Sequence, residues 1–211
     1  MSTVYPVVAI DLDGVVCDFA RRFAEIARAE GFAVPDGYVP RDWHFSDVLT
    51  RAELDRCWRA AMAVEDFWLT VSPYLDSLCL RNLFGDFQVY WLTARSQSAG
   101  APLLWQVQTW LKRARLGGEE WGARHSTTVI VGRPNEKAAV LRAIGAKWFV
   151  DDLAETVQWC ADMAPECRSL LLDRPWNASA EGVPRVASLK EFVQMVRAAR
   201  AAEGDPCADV S

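Results

Sequence analysis

Apolar residues occur in two kinds of segment along this chain: short continuous runs and longer stretches with helical spacing. The run Val4–Ile10 is uncharged, rich in β-branched residues and too short for a helix, so it predicts a buried strand. Similar apolar runs predict further strands at residues 87–92, 127–131, 147–150 and 168–172.

The longer stretches repeat apolar residues every three or four positions, as amphipathic helices do. In the first of them Phe19, Phe23 and Ile26 share one side. In the second, Thr50 precedes Glu53 by three residues, the spacing of a capping box. The predicted helices cover residues 19–28, 51–64, 73–83, 102–116, 136–144, 154–163 and 189–201. Strands that alternate with helices predict an α/β fold, a Rossmann-like parallel sheet flanked by helices.

The region between the first two strands lacks a strand pattern and reads as helices and loops. We therefore predict a core of residues 1–17 and 86–201, interrupted after the first strand by a small helical insertion, residues 18–85. Residues 202–211 are polar and contain glycine and proline, so we expect a disordered tail.

Composition and charge narrow the classes of function. The chain has 211 residues, of which 51% are apolar, enough for one sizeable core. Its net charge of −5 includes no long run of one sign, which argues against a nucleic acid or a membrane surface as partner. No apolar run reaches the ~18 residues of a membrane span. The N-terminus also lacks a signal-peptide pattern.

The cysteines indicate a reducing compartment. There are six, without a tight pairing pattern, and Cys160 and Cys167 lie too far apart for a CxxC site. We therefore expect reduced thiols and a cytoplasmic protein.

Polar residues interrupt the apolar runs at the carboxyl ends of the predicted strands. Ligands of parallel α/β sheets bind beyond these ends, so the residues there are expected to face one crevice. They are Asp11, Asp13, Thr93, Asp151 and Asp152, with Lys137 near the start of the helix after the third strand.

This set of side chains suits metal-assisted chemistry on a phosphate group. Carboxylates without a histidine or cysteine cluster favour a hard cation such as Mg²⁺. The hydroxyl of Thr93 and the ammonium of Lys137 suit phosphate oxygens. One carboxylate can attack phosphorus to give an aspartyl-phosphate, while its neighbour protonates the leaving alkoxide and later deprotonates water.

The same residues resemble the four ordered motifs of the haloacid dehalogenase (HAD) superfamily of phosphohydrolases. The matching segments are Asp11-Leu12-Asp13-Gly14-Val15, Leu92-Thr93, Lys137 and Asp151-Asp152. The resemblance implies that Asp11 is the nucleophile and Asp13 the general acid/base. It implies that Thr93 and Lys137, also in the catalytic set, bind the phosphate.

The resemblance also implies a Mg²⁺ site. Its ligands would be the Asp11 side chain, the Asp13 main-chain carbonyl and one carboxylate of the Asp pair, Asp152 rather than Asp151. Asp151 would support that site or the lysine. The second aspartate of the first motif fits a phosphatase, because dehalogenase members usually lack it.

A narrower resemblance concerns the substrate. Residues 11–19, Asp-Leu-Asp-Gly-Val-Val-Cys-Asp-Phe, are similar to the opening of the 5′(3′)-deoxyribonucleotidase family, and residues 18–85 occupy the place of that family's cap domain. Residues 173–177 resemble a Pro-aromatic-Asn segment of its bacterial relatives. By this resemblance Phe19 would face the nucleoside, with Trp43 or Phe45 nearby.

The second motif departs from that family. This chain has Thr93-Ala94-Arg95 where the family has Thr-Ser-Pro, so a serine contact with the phosphate is missing. We expect Ala94 and Arg95 beside the substrate, with Arg95 supplying a charge in place of the serine.

These observations predict a Mg²⁺-dependent phosphatase that acts on a small phosphorylated substrate, a nucleoside monophosphate. Three alternatives remain open: a phosphatase for another small phosphorylated metabolite, a non-catalytic nucleotide- or phosphate-binding module, and an enzyme acting on a phosphorylated nucleic-acid end. The acidic net charge argues against the third. The oligomeric state is also open, with a homodimer among the options.

Overall fold

The computed structural model describes residues 5–202. Six parallel strands form one sheet in the order β3-β2-β1-β4-β5-β6, which confirms the predicted Rossmann-like parallel sheet. The strands are β1 (Val7–Ile10), β2 (Gln88–Ala94), β3 (Ser126–Val131), β4 (Trp148–Asp151), β5 (Arg168–Leu172) and β6 (Arg185–Val186). The first strand of the sequence therefore lies in the middle of the sheet, between β2 and β4.

Helices connect the strands. The α-helices are α1 (Phe19–Ala29), α2 (Arg51–Ala63), α3 (Leu103–Arg113), α4 (Lys137–Ala143), α5 (Ala154–Met163) and α6 (Leu189–Ala202). Short 3₁₀ helices cover Phe67–Thr70, Leu75–Leu83, Glu119–Trp121, Pro134–Glu136 and Pro175–Asn177.

The two faces of the sheet form separate hydrophobic clusters because successive side chains of a strand point to opposite faces. Val8 and Ile10 of β1 pack in the larger cluster with residues of α3 and α6. Ala9 packs in the smaller cluster with residues of α4 and α5. Both faces of the sheet are thus covered, as a parallel sheet requires.

The helices of the insertion begin where the sequence predicts. The Asp18 side chain accepts a hydrogen bond from the Arg21 N–H and caps α1. Thr50 and Glu53 form the predicted capping box at the start of α2.

One predicted helix has a different form. Residues 73–83 were expected to be α-helical, but Leu75–Leu83 is a 3₁₀ helix. Its buried residues Ser77, Leu80 and Leu83 recur every three positions, which matches the three residues per turn of a 3₁₀ helix. This segment packs against α6, where Arg197 Nη1 donates a hydrogen bond to the Asn82 carbonyl at 2.6 Å.

The division of the chain into a core and an insertion stays a prediction. The predicted disordered tail lies outside the described residues apart from Ala202, which ends α6. Strand β6 was not predicted because two residues are too short to show a periodic pattern.

No helix among residues 5–202 combines the length and apolar character that crossing a bilayer requires. The described cysteines, Cys17, Cys57, Cys79, Cys160 and Cys167, are free thiols, and Cys207 lies outside the described residues.

Candidate functional site

The carboxyl ends of β1, β2 and β4 bring the predicted polar residues together. Asp11 directly follows β1, and its N–H donates a hydrogen bond of 3.0 Å to the Val150 carbonyl of β4. Thr93 lies near the end of β2, and Asp151 is the last residue of β4. The predicted crevice therefore lies above the central strand.

A tight turn follows β1 and brings the backbone close to β4. Gly14 has φ +75°, and a Cβ atom added there would lie 2.1 Å from Asp152 Oδ2. Arg174 fixes the turn from the other side, donating hydrogen bonds to the carbonyls of Gly14 (2.5 Å) and Val15 (3.0 Å). A residue with a side chain at position 14 would push Asp152 out of place.

Lys137, the first residue of α4, links two of the carboxylates. Its Nζ lies 2.6 Å from Asp11 Oδ1 and 2.7 Å from Asp151 Oδ2, and all three side chains are buried. Although burial disfavours the ammonium charge, the Asp11 and Asp151 carboxylates raise the pKa of Lys137. The lysine is therefore a permanent cation beside the predicted nucleophile.

Three carboxylates form a compact acidic cluster. Oxygen atoms of Asp11, Asp151 and Asp152 lie within 4.8 Å of one another. Burial, with the nearby charges of Asp151 and Asp13, raises the pKa of Asp11 to about 7 against the opposing effect of Lys137. Burial and the Asp151 charge raise the pKa of Asp152 well above its usual value.

When all three carboxyl groups are ionised, one lysine does not balance their charge, and burial makes the excess negative charge unfavourable. An all-oxygen donor set with this charge fits a hard divalent cation such as Mg²⁺. Asp151 is already engaged by Lys137 and by the Leu153 N–H, at 2.9 Å. Asp11 and Asp152 are thus the side chains best placed to hold such a cation.

Two residues after β5 orient Asp152. Trp176 Nε1 donates a hydrogen bond of 2.8 Å to Asp152 Oδ2, and Asn177 Nδ2 donates one of 2.8 Å to the Asp152 carbonyl. Asn177 Nδ2 also contacts the Leu172 carbonyl at the end of β5. In the sequence the Pro-Trp-Asn segment stood out only by resemblance, and nothing in the pattern links it to Asp152.

Arg95, expected beside the substrate, contacts Asp13. Its Nε and Nη2 atoms donate hydrogen bonds to the two carboxylate oxygens at 2.8 and 2.7 Å. The guanidinium lies 4.3 Å from the centroid of the Trp68 ring, and its side chain is 0% exposed. Thr93 Oγ1 (3.4 Å) and Cys17 Sγ (3.2 Å) also contact the Asp13 carboxylate. Arg95 and Thr93 therefore lie behind Asp13.

A cavity of about 200 Å³ opens above Asp11, and we call it the catalytic cavity. Its polar lining consists of Asp11, Asp13, Lys137 and Asp152. Aromatic rings cover it, with the Phe19 ring 5.3–6.0 Å from the rings of its three tryptophan neighbours. The aromatic residues are Phe19, Trp43, Trp58 and Trp68, and Ala94, Pro134 and Leu153 complete the lining.

Only some of the aromatic and neighbouring residues that were expected to contact substrate line the catalytic cavity. Phe19, Trp43 and Ala94 line it, whereas Phe45 is buried against Phe23 and Tyr38. Two lining residues of the insertion, Trp58 and Trp68, were not singled out in the sequence. The only signal was the high tryptophan content of the chain, ten residues, which does not identify individual positions.

Comparison with known proteins identifies the fold. No protein-family model matches the chain, and no curated protein matches its sequence significantly. A HAD-superfamily hydrolase of subfamily IA from Geobacter sulfurreducens PCA superposes with a TM-score of 0.55 at 15% identity, covering 91% of this chain and 96% of that one.

Two further structures have the same architecture. A haloacid dehalogenase-like hydrolase from Streptococcus pneumoniae gives a TM-score of 0.58 at 10% identity, with 93% of this chain and 98% of that one covered. The L-2-haloacid dehalogenase from Xanthobacter autotrophicus, with chloropropionic acid covalently bound, gives 0.50 at 16% identity, with 92% and 99% covered. The described chain thus has the α/β Rossmann-like fold of HAD-superfamily hydrolases, with a buried acidic cluster at the carboxyl ends of its central strands.

Proposed function

We propose that this protein is a Mg²⁺-dependent phosphomonoester hydrolase that forms an aspartyl-phosphate on Asp11. The observation that carries the proposal is the position of Asp11. Its carboxylate is buried, contacts Lys137 at 2.6 Å, belongs to the acidic cluster and lines the catalytic cavity. Asp13, which lines the same cavity, supplies the second carboxyl group that a phosphatase needs for proton transfer.

Asp11 and Asp152 would hold the Mg²⁺ ion through their side chains, with the Asp13 main-chain carbonyl as a third ligand. When bound, Mg²⁺ would neutralise part of the charge that develops on the phosphoryl oxygens. Lys137 adds a positive charge at the same place and holds Asp11 in one orientation.

The reaction has two steps. In the first, a carboxylate oxygen of Asp11 bonds to phosphorus, the ester P–O bond breaks, and the Asp13 carboxylic acid gives its proton to the departing oxygen. In the second, the Asp13 carboxylate takes a proton from water, whose oxygen attacks the phosphorus of the aspartyl-phosphate. The bond between phosphorus and the Asp11 oxygen breaks, inorganic phosphate leaves, and both aspartates return to their starting forms.

The substrate we propose is a nucleoside monophosphate. The support is the pair of tryptophan rings beside the phosphate site, because Trp43, which lines the catalytic cavity, and its neighbour Trp176 offer flat surfaces for a planar group. Another small phosphorylated metabolite remains the alternative substrate.

The experiment measures phosphate release from p-nitrophenyl phosphate and from a panel of phosphorylated metabolites, with and without Mg²⁺. We expect Mg²⁺-dependent turnover with a preference for nucleotides. Asp11→Asn should abolish turnover while circular dichroism shows an intact fold, whereas Asp36→Asn, at an exposed loop carboxylate, should have no effect. Near-wild-type turnover of Asp11→Asn would contradict the mechanism, and equal rates with all phosphate esters would contradict the substrate class.

A further inference from the structure

We propose that the organic part of the substrate lies in a second cavity beside the catalytic cavity, and that this cavity selects an uncharged or cationic group. The second cavity, which we call the outer chamber, has a volume of about 430 Å³. It lies between residues 42–44, the first turn of α5 and residues 176–180. The inference rests on the proposed phosphatase function and adds which charge the organic part of the substrate carries.

Size indicates that the catalytic cavity alone is too small. Its volume of about 200 Å³ must hold the transferring phosphoryl group and the metal. Pockets for small organic ligands typically measure about 300–1,000 Å³. Adding the outer chamber brings the available space into that range, so the part of the substrate beyond the phosphate has room there.

The two cavities are adjacent. Trp43, Pro134, Asp152 and Leu153 line both of them. The ring of Trp43 lies between Phe19 and Trp176, with centroid distances of 5.4 and 5.7 Å, and forms a side wall common to the two spaces. A substrate whose phosphate contacts Asp11 can therefore extend past Trp43 into the outer chamber.

The charge of the outer chamber is negative. Its lining includes the acidic residues Asp42, Asp152 and Glu155 and the neutral His44, and it includes no lysine or arginine. A metal bound at Asp152 would offset that carboxylate, which leaves Asp42 and Glu155 to set the sign. A second phosphate or a carboxylate on the substrate would meet these like charges without a side-chain cation.

The positive end of α5 does not reverse this sign. The Asp151 carboxylate already accepts a hydrogen bond from the Leu153 N–H that precedes the helix, and Glu155 lies in the first turn. These negative charges are placed where they offset the helix dipole.

A different cavity of about 570 Å³ has three arginines and two acidic residues in its lining and is therefore the more basic of the two. These residues are Arg21, Arg28, Arg174, Asp18 and Glu25. It shares no lining residue with the catalytic cavity. The structure thus directs the organic group to the acidic space.

The location of the organic group is tested with phosphonates, which bind like phosphate esters but cannot be hydrolysed. They are used as inhibitors of p-nitrophenyl phosphate turnover in the presence of Mg²⁺. Ala180 is half-buried and lines the outer chamber, whereas Ala178 is exposed and does not. Ala180→Phe should weaken inhibition by benzylphosphonate at least fivefold and leave that by methylphosphonate unchanged. Ala178→Phe should leave inhibition by both phosphonates unchanged. Equal inhibition of both variants by benzylphosphonate would overturn the location.

The charge preference of the outer chamber is tested by comparing the inhibition constants of 4-carboxybenzylphosphonate and 4-(aminomethyl)benzylphosphonate. The wild type should bind the aminomethyl compound at least fivefold more tightly than the carboxy compound. Glu155→Lys should reduce this ratio about 3- to 10-fold, as expected for reversing one charge near the ligand. Glu166→Lys makes the same change just before β5, at the opposite end of the sheet, and should leave the ratio unchanged. Tighter binding of the carboxylate by the wild type would overturn the inference.

The two proposals fail in different ways. Absence of Mg²⁺-dependent phosphate release from p-nitrophenyl phosphate would contradict the proposed function and, with it, the inference. Normal release together with equal binding of the charged phosphonates would overturn the inference alone.

Discussion

Asp13 is held by an arginine that the sequence assigned to the substrate. The two hydrogen bonds from Arg95, at 2.8 and 2.7 Å, fix the orientation of the Asp13 carboxyl group. Both proton transfers of the proposed reaction need that group in a fixed position. We therefore propose that Arg95 is a positioning residue, which acts on the substrate through Asp13.

Replacing Arg95 separates this role from direct phosphate binding. Arg95→Met should lower kcat about 10- to 100-fold with little change in KM, because the base loses its orientation and its partner charge. The aspartyl-phosphate should accumulate and be detectable by mass spectrometry after an acid quench. Arg95→Lys keeps the charge but cannot form the paired hydrogen bonds, so its kcat should lie between those of the wild type and Arg95→Met. A raised KM with unchanged kcat would instead support the phosphate contact expected from the sequence.

At the residue scale, the sequence predicted which groups meet but not which way each one faces. Asp11, Lys137 and the Asp151–Asp152 pair could be found because strand ends and helix starts of a parallel sheet converge. The orientation of Arg95 depends on Trp68, whose Nε1 donates a hydrogen bond to the Ser96 carbonyl and fixes the ring beneath the guanidinium. Such a tertiary contact has no periodic signature in the sequence.

At the scale of the element, the turn after β1 determines the position of Asp152. Gly14→Ala should destabilise the protein and also abolish Mg²⁺-dependent activity, because the new Cβ would lie 2.1 Å from Asp152 Oδ2 at a positive φ. Gly145→Ala is the matched control. It has φ +64° and no atom within 4 Å of the added Cβ, so it should cost only about 1 kcal/mol of backbone strain and retain activity. Thermal unfolding and turnover measure the two effects, and full activity of Gly14→Ala would contradict this account.

Strands and long helices were predictable because their periods of 2 and 3.6 residues reflect burial on one face or stripe. The limits of α5 and β5 match the sequence prediction, since both segments are strongly patterned. The segment Leu75–Leu83 was not identified as a 3₁₀ helix because its exposed Leu75 and Leu78 obscure the three-residue spacing of its buried side.

At the scale of the whole molecule, the acidic cluster should couple metal binding to stability. Burial raises the pKa of Asp152 and raises that of Asp11 from 3.8 to about 7, so the metal-free folded protein binds more protons than the unfolded chain. The metal-free protein should therefore be most stable at low pH, and its free energy of unfolding should fall as the pH rises from about 4 to about 7.

Mg²⁺ should reverse that loss. At a hundredfold excess over its Kd, a ligand that binds only the folded state adds about 2.7 kcal/mol. For a domain of this size we expect the Tm to rise by about 5–10 °C at neutral pH. Asp152→Asn should be more stable than the wild type without metal, because one buried charge is gone, and should lose the Mg²⁺ effect. Differential scanning calorimetry measures both, and a Mg²⁺ effect of wild-type size in Asp152→Asn would contradict the metal assignment.

The central place of β1 in the sheet has a consequence for the chain as it leaves the ribosome. β1 is synthesised first, yet one of its edges stays open until β4 has been made, and the contact between Asp11 and Lys137 spans 126 residues. During synthesis the apolar edge is free to pair with other chains, and Asp11 has no cation beside it. A nascent chain halted before β4 should therefore depend on chaperones and show no activity, because the proposed catalytic centre is among the last parts to assemble.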